Sequence, residues 1–265
     1  MPRAVPACGM VAIDIGTFFD TVLAWLQNTW TSLCADFYLN FIKEDRWKYL
    51  VRGLGVTLEV ALFAAIAGII LGALLAIVRT TADKTGRLRF LNWLAKLYIT
   101  VIRGTPVVVQ LLIINFVIFS SVFVDTVLVA IIAFGLNSAA YVAEVFRSGI
   151  MSIDEGQFEA GRSLGFNYGQ TMWHIVMPQA FKNVLPALAN EFITLLKETS
   201  VSGYIGLMDL TKAGDIIRSR TFAAFMPLIA VALVYLIMVV VLSAGVSRLE
   251  RRPVSYTHLR APETV

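Results

Sequence analysis

Side chains that carry chemistry are scarce in this chain. Two cysteines and two histidines occur in 265 residues, and only 15% of the residues are charged. Cys8 and Cys34 are too few for a metal cluster, and their spacing fixes no pairing. His174 and His258 lack the partner spacing of a zinc site, and His174 reads as an ordinary loop residue. No G-x-x-x-x-G-K-S/T phosphate loop is present. Hydrolysis of a nucleotide by a phosphate loop is thereby excluded, and no catalytic residue, metal site, bound cofactor or nucleic-acid partner is expected. Residues 1–31 also lack the basic start, continuous apolar centre and small-residue cleavage site of a signal peptide.

Apolar length is what the chain has in quantity. With 58% apolar residues and a mean hydropathy of +0.75, it does not suit a soluble globule. Measured against the roughly 20 apolar residues that cross a bilayer, four long runs and one interrupted run stand out, near 53–78, 105–123, 126–145, 188–207 and 222–246. Backbone groups find no water in the bilayer core, so runs of this length must be helical. The expected fold is an all-α integral membrane protein with five transmembrane helices. The expected layout is an N-terminal segment at 1–48, a membrane domain at 49–252 and a tail at 253–265. Phe18, Val22, Trp25, Leu26 and Trp30 recur at helical spacing in the N-terminal segment, which predicts an amphipathic helix on the membrane surface.

The distribution of basic residues bears on orientation. Arg79, Lys84, Arg87, Arg89 and Lys96 follow the first span against one acid, Asp83, which predicts a cytoplasmic loop. Five crossings then put the N-terminus outside and the tail with Arg248, Arg251 and Arg252 inside, although Lys43, Arg46, Lys48 and Arg52 would lie outside. Ala64, Gly68, Gly72 and Ala76 fall every four residues and predict a face that a neighbouring helix approaches closely. Thr105 before Pro106 reads as an N-cap and first helical residue, opening the second span. Upstream, Leu91, Leu94, Tyr98 and Val101 oppose Asn92, Lys96, Thr100 and Arg103, the pattern of an interfacial helix.

Ionisable residues inside spans are costly and face a partner or a wet cavity. Glu59 lies near a span end, within reach of the headgroups. Glu144 and Arg147 are three apart and able to pair with each other. The fourth span holds Asn190, Glu191, Thr194, Lys197, Glu198, Thr199 and Ser200, too many polar groups to face lipid. Buried hydrogen bonds or a passage for a polar solute account for it equally well. Asn190, Glu191 and Thr194 are the expected pathway residues.

Between the third and fourth spans lies a polar loop, 151–183. Asp154 and Glu155 precede a short run, 158–164, and Gly165 follows it: acids at a helix start and a glycine at its stop. Glu159, Ala160, Gly165, Ile175 and Pro178 stand at the spacing Glu-Ala-Ala, three residues, Gly, nine residues, Ile, any residue, Leu-Pro, with Gly161 for the second alanine and Met177 for leucine. This resembles the EAA loop of permease subunits of ATP-binding-cassette importers. Arg103-Gly104-Thr105-Pro106 with Gln110, Ala140-Tyr141-Val142-Ala143-Glu144 with Arg147, Gly149-Ile150, Gly156-Gln157, Pro178-Gln179-Ala180, Pro186, Asn190 and Lys197-Glu198-Thr199-Ser200 resemble the polar amino-acid branch. The similarity runs from about Tyr49 to Arg251.

The resemblance implies a non-enzymatic permease of the bacterial cytoplasmic (inner) membrane. Its implied partners are two ATPase subunits that bind the ATP, a second permease as homo- or heterodimer, and an extracytoplasmic solute-binding protein. It implies that the short helix in the loop is a coupling helix docked on the ATPase, with Glu159, Ala160, Gly161 and Gly165 making or shaping that contact. By propensity alone, Gly161 loosens the helix by up to about 1 kcal/mol. The alternatives are an ion-coupled secondary transporter, for which no internal repeat is seen, and a membrane-bound hydrolase, for which no nucleophile and base are found. Beyond Pro253 the tail resembles a translated sequencing-library adaptor, the alternative being a disordered cytoplasmic tail, and no function is expected there.

Overall fold

The computed structural model describes residues 15–250, all-helical with short connections and no strand among the described residues. Cys8, Arg251, Arg252, His258 and the adaptor-like tail lie outside the described residues. The helices in chain order are α1 (Ile15–Phe37), α2 (Trp47–Thr85), α3 (Arg89–Gly104), α4 (Val107–Ile113), α5 (Thr126–Met151), α6 (Glu155–Ser163), α7 (Tyr168–Thr171), α8 (Met177–Glu198), α9 (Leu210–Thr221) and α10 (Phe225–Glu250). A π turn, Ile114–Ile118, extends α4, and a 3-10 segment, Thr199–Ile205, continues α8.

The bundle is organised around α2 and α5. Gly68 and Gly72 let α2 lie directly on α5: a Cβ on Gly68 would sit 2.7 Å from Ser138 Oγ, and one on Gly72 2.6 Å from Val142 Cγ1. Ala64 and Ala76 continue that buried face, as their four-residue spacing predicts. Val60, Ala64, Leu111, Val129, Phe134 and Leu195 form the largest core cluster, drawing α4 and α8 onto the α2–α5 pair. Asp125 fixes the start of α5 by accepting from Val127 N at 2.7 Å.

Apolar length identifies three single helices able to cross a bilayer, α2, α5 and the stretch Phe225–Arg248 of α10. The expected second span resolves differently. α3 and the helical stretch Val107–Ile118 pass the same test only as one pair, bent by 109°. Pro106 is the cap rather than the first helical residue: its backbone is extended (ψ 136°), and Thr105 ends α3. α3 also packs inward, with Ile99 buried beside Ala140 and Ala143, while Leu91, Leu94 and Val101 stay exposed.

The expected fourth span, 188–207, begins earlier, as α8 starts at Met177. Pro178 lies in its first turn, where a missing N–H costs nothing, and Pro186 is carried inside the helix. Its polar residues keep α8 out of the helices that qualify by hydropathy. The last span begins at Phe225 rather than Phe222, because Phe222 has left-handed backbone (φ 54°) and terminates α9.

The N-terminal segment forms α1, with Trp25, Leu26 and Trp30 exposed. A π turn follows it and buries Asn40, which accepts from Thr221 Oγ1 at 2.8 Å and so fastens this segment to the end of α9. Arg220 Nη1 donates to Tyr49 Oη at 2.7 Å beside that contact.

Candidate functional site

The polar loop after α5 folds into a short helix with a defined start and stop. Asp154 caps α6, its Oδ1 accepting from Gly156 N at 2.7 Å, and Glu155 places a second acid at the positive helix end. At the other end Phe166 N donates to Gly161 O at 3.0 Å and Gly165 N to Arg162 O at 2.9 Å, the paired bonds of a Schellman stop. Gly165 supplies the left-handed residue this stop requires, with φ 80° and open space where a Cβ would lie.

Three attachments hold α6 to the membrane helices. Lys84, in the last turn of α2, pairs with Glu155 at 3.1 Å and lies 4.9 Å from the ring centre of Phe158. Gln179 of α8 donates to Gln157 Oε1 at 3.2 Å. Beneath them Ile150, Ile153, Val176 and Ala180 make a buried apolar cluster with Phe158, Met172 and Met177 packed on it. A cavity of about 140 Å³ remains between this cluster and the end of α2. The Tyr168 hydroxyl beside it is buried without a hydrogen-bond partner, and burial raises its pKa.

The four expected coupling residues divide between two environments. Glu159, Ala160 and Gly165 are exposed, and Glu159 pairs with Arg162 at 3.9 Å on the surface. Gly161 is buried: a Cβ there would lie 2.5 Å from Thr171 Oγ1 and 2.6 Å from its Cγ2. Leu164 and Trp173 add exposed apolar surface around this loop, 70% and 71% accessible. Sequence reasoning missed Lys84 and Thr171 as supports of α6. Lys84 was visible only as one of a run of basic residues, and Thr171 carries no local signal.

A second polar region lies between α3, α5 and α8. Glu191 is half-buried and lines a groove of about 500 Å³ with Arg103, Tyr141 and Glu144. Asn190 and Thr194, expected beside it, are exposed and do not line this groove. Thr194 Oγ1 is satisfied within α8 by the Asn190 carbonyl at 3.1 Å. An adjoining groove of about 640 Å³ shares Arg103, Tyr141 and Glu144 and adds Arg79 and Lys96.

The charges along these grooves are unequally compensated. Glu144 is ion-paired with Arg79 and stands 3.5 Å from Arg147, which also reaches Asp83 at 3.7 Å. The i,i+3 partner read from the sequence is thus joined by the guanidinium of α2. The Arg103 guanidinium lies over the Tyr141 ring, 5.3 Å from its centre. At the bend below Arg103, Gln110 Nε2 donates to Ile102 O at 2.7 Å and to Thr105 Oγ1 at 2.7 Å, while its Oε1 accepts from Asn137 at 3.0 Å. Gln110 therefore ties the end of α3 to the start of α4 and to α5. Tyr141 stood in the sequence only as part of a resemblance, Arg103 also as part of the polar face of an interfacial helix, and Asn137 gave no signal.

Apolar helices crossing at small-residue seams, polar grooves between them and a capped loop helix at one end define an all-helical integral membrane protein of the permease fold. The chain belongs to the family of binding-protein-dependent transport system inner membrane components, whose model matches residues 53–254. It is 39% identical over 206 residues to the arginine transport system permease protein ArtQ of Bacillus subtilis, covering 77% of this chain and 92% of that protein. It is 37% identical over 206 residues to a protein named as the glutamine transport system permease GlnP of Rickettsia typhi, with the same coverage of 77% and 92%. A crystal structure of an amino acid ABC transporter with histidines aligns at a TM-score of 0.73 and 38% identity, over 80% of this chain and 98% of that one.

Proposed function

We propose that this chain is the membrane-spanning permease subunit of an ATP-driven importer of polar amino acids in the bacterial cytoplasmic membrane. The observation that carries this reading is α6: a short helix capped at Asp154, stopped at Gly165, fastened to α2 and α8, and presenting Glu159, Ala160 and Gly165 outward. Such a helix is built to be held by another protein and to pass movement into the bundle. Its proposed partners are two ATPase subunits, which bind the ATP, with a second permease and an extracytoplasmic solute-binding protein completing the complex. Gly161 shapes the contact by seating α6 against Thr171 rather than by touching the ATPase.

The basic residues around the end of α2 support a cytoplasmic position for α6, hence an external N-terminus and a cytoplasmic C-terminus. The substrate class follows from the arginine and glutamine permeases that the chain resembles. The polar exposed residues of α8, Asn190, Thr194 and Lys197, need cover from lipid, and a second permease subunit supplies it. Glu191 faces the solute pathway, with Asn190 and Thr194 at its border.

Reconstitution tests the whole reading. Vesicles carrying the chain with its ATPase, second permease and binding protein are expected to import polar amino acids only with ATP. Gly165→Glu, which places a charge on the outer face of the helix stop, should cut uptake at least tenfold while the complex still assembles. Uptake driven by an ion gradient without ATP, or undiminished uptake by the Gly165 variant, would overturn the assignment.

A further inference from the structure

We infer that α1 is a lipid-binding helix: it lies flat in the bilayer interface at the leaflet where α2 begins, and the partner of its apolar face is neutral lipid. α1 precedes the residues, 53–254, that the family model matches, and the inference does not depend on which solute the complex carries. Its large apolar side chains point outward. Trp25 is 64% and Trp30 68% accessible, and Leu23, Leu26 and Phe37 are each half exposed or more. An apolar patch of this kind marks contact with a membrane or another protein.

The pattern around the helix points to a membrane. At 3.6 residues per turn, Trp25 and Trp30 stand about 140° apart, and Val22, Leu26, Leu33 and Phe37 fall in the arc between them. Gln27, Asn28 and Thr31 take the opposite side. Thr29 and Asp36 fall on the Trp25 side of the arc, and Thr29 Oγ1 is satisfied within the helix by Trp25 O at 2.7 Å. Indole rings at both edges of an apolar stripe put their N–H groups at headgroup level while the stripe meets acyl chains, which sets the helix lengthwise along the interface. α1 does not qualify as a span by hydropathy.

Two details choose neutral lipid as the occupant. Exposed Phe37, Tyr38 and Ile42 lead through the turn to exposed Trp47, Val51 and Leu58 on α2, a helix able to cross the bilayer. α1 itself carries two acids, Asp20 and Asp36, and no Lys or Arg. Charge therefore gives it no attraction to anionic headgroups or an acidic protein, and apolar burial supplies the binding. The turn that carries the helix is braced: Asn40 Nδ2 donates to Asp36 O at 2.7 Å, and Arg46 Nη1 to Leu39 O at 2.7 Å. Because Thr221 bonds to Asn40, a helix held in the interface also fixes the depth of the end of α9.

The test uses the assembled complex in vesicles of phosphatidylcholine alone, with Cys8→Ser and Cys34→Ser as background. A nitroxide is attached to Leu26→Cys, Leu33→Cys, Gln27→Cys or Thr31→Cys, one at a time. Its relaxation by oxygen, which concentrates among acyl chains, is compared with that by a water-soluble nickel chelate. The oxygen-to-nickel ratio at positions 26 and 33 is expected to exceed that at 27 and 31 by about fivefold or more. Low access of both reagents to positions 26 and 33 would show that protein covers the face. Free access of nickel to all four would show that water does, and a high ratio at all four would show a helix buried in the bilayer. Each of these three results overturns the inference and leaves the importer reading intact.

Discussion

One methyl group separates Gly161 from the alanine that the EAA pattern calls for, and the Thr171 side chain occupies the space where it would go. Gly161→Ala should destabilise the loop by about 1–3 kcal/mol through overpacking. Thr171→Ala should recover part of that loss, since its own Cβ stays 3.0 Å from the new methyl. A double-mutant cycle on thermal unfolding of the purified complex is expected to show coupling above about 0.5 kcal/mol. Additive effects would mean that α6 does not rest on Thr171. Gly165 answers to backbone instead of space. Ala at that position should weaken the helix stop by about 1–2 kcal/mol and Asn by less, because Asn tolerates left-handed geometry. Faster amide exchange across α6 in Gly165→Ala than in Gly165→Asn would show it. The role of Gly165 was legible because its signal is local: acids, a short run, then glycine. That of Gly161 was not, because its partner lies ten residues on and meets it only through folding.

At the scale of elements, the bend between α3 and α4 depends on Gln110. Gln110→Leu keeps the bulk and removes the donors, leaving the Ile102 carbonyl and Asn137 short of partners. Each unsatisfied buried group costs about 1–3 kcal/mol, so the variant should lower the unfolding midpoint of the complex by several degrees. Gln110→Glu, which keeps the acceptor for Asn137 and loses the amide donors, should fall between the two. Equal midpoints for all three proteins would show that the bend is held by other contacts. Long apolar helices such as α2 and α5 were legible from hydropathy, and their seam from the spacing of Ala64, Gly68, Gly72 and Ala76. Hydropathy is blind to a change of direction, so α3 and α4 read as an interfacial helix followed by a span. It also averages away a helix such as α8, whose first turns are polar, and set that start near Leu188 instead of Met177.

For the whole molecule, orientation is the property that the functional reading most depends on, and the exposed Cys34 at the end of α1 offers a native probe. With Cys8 replaced by serine, a membrane-impermeant maleimide should label Cys34 in cells whose cytoplasmic membrane is intact. In a chain also carrying Cys34→Ser, Ser163→Cys should be labelled only after lysis. The reverse pattern would put α6 on the wrong side for an ATPase. The general class of the molecule was legible from composition, whereas the grooves were not, since Arg103, Tyr141 and Glu191 come from three helices and meet only in the bundle. The length of α2 carries a mechanical consequence. At 39 residues it is about 58 Å long, nearly twice the hydrocarbon thickness, and its tightest seating on α5, at Gly68 and Gly72, lies close to its midpoint. A rod pinned at its middle is a rocker. With α6 fastened at Lys84, a tilt of about 5° at that end swings the opposite end by about 2.5 Å the other way over half that length. Residues at the far end of α2 then move with α6 without touching any residue that holds it.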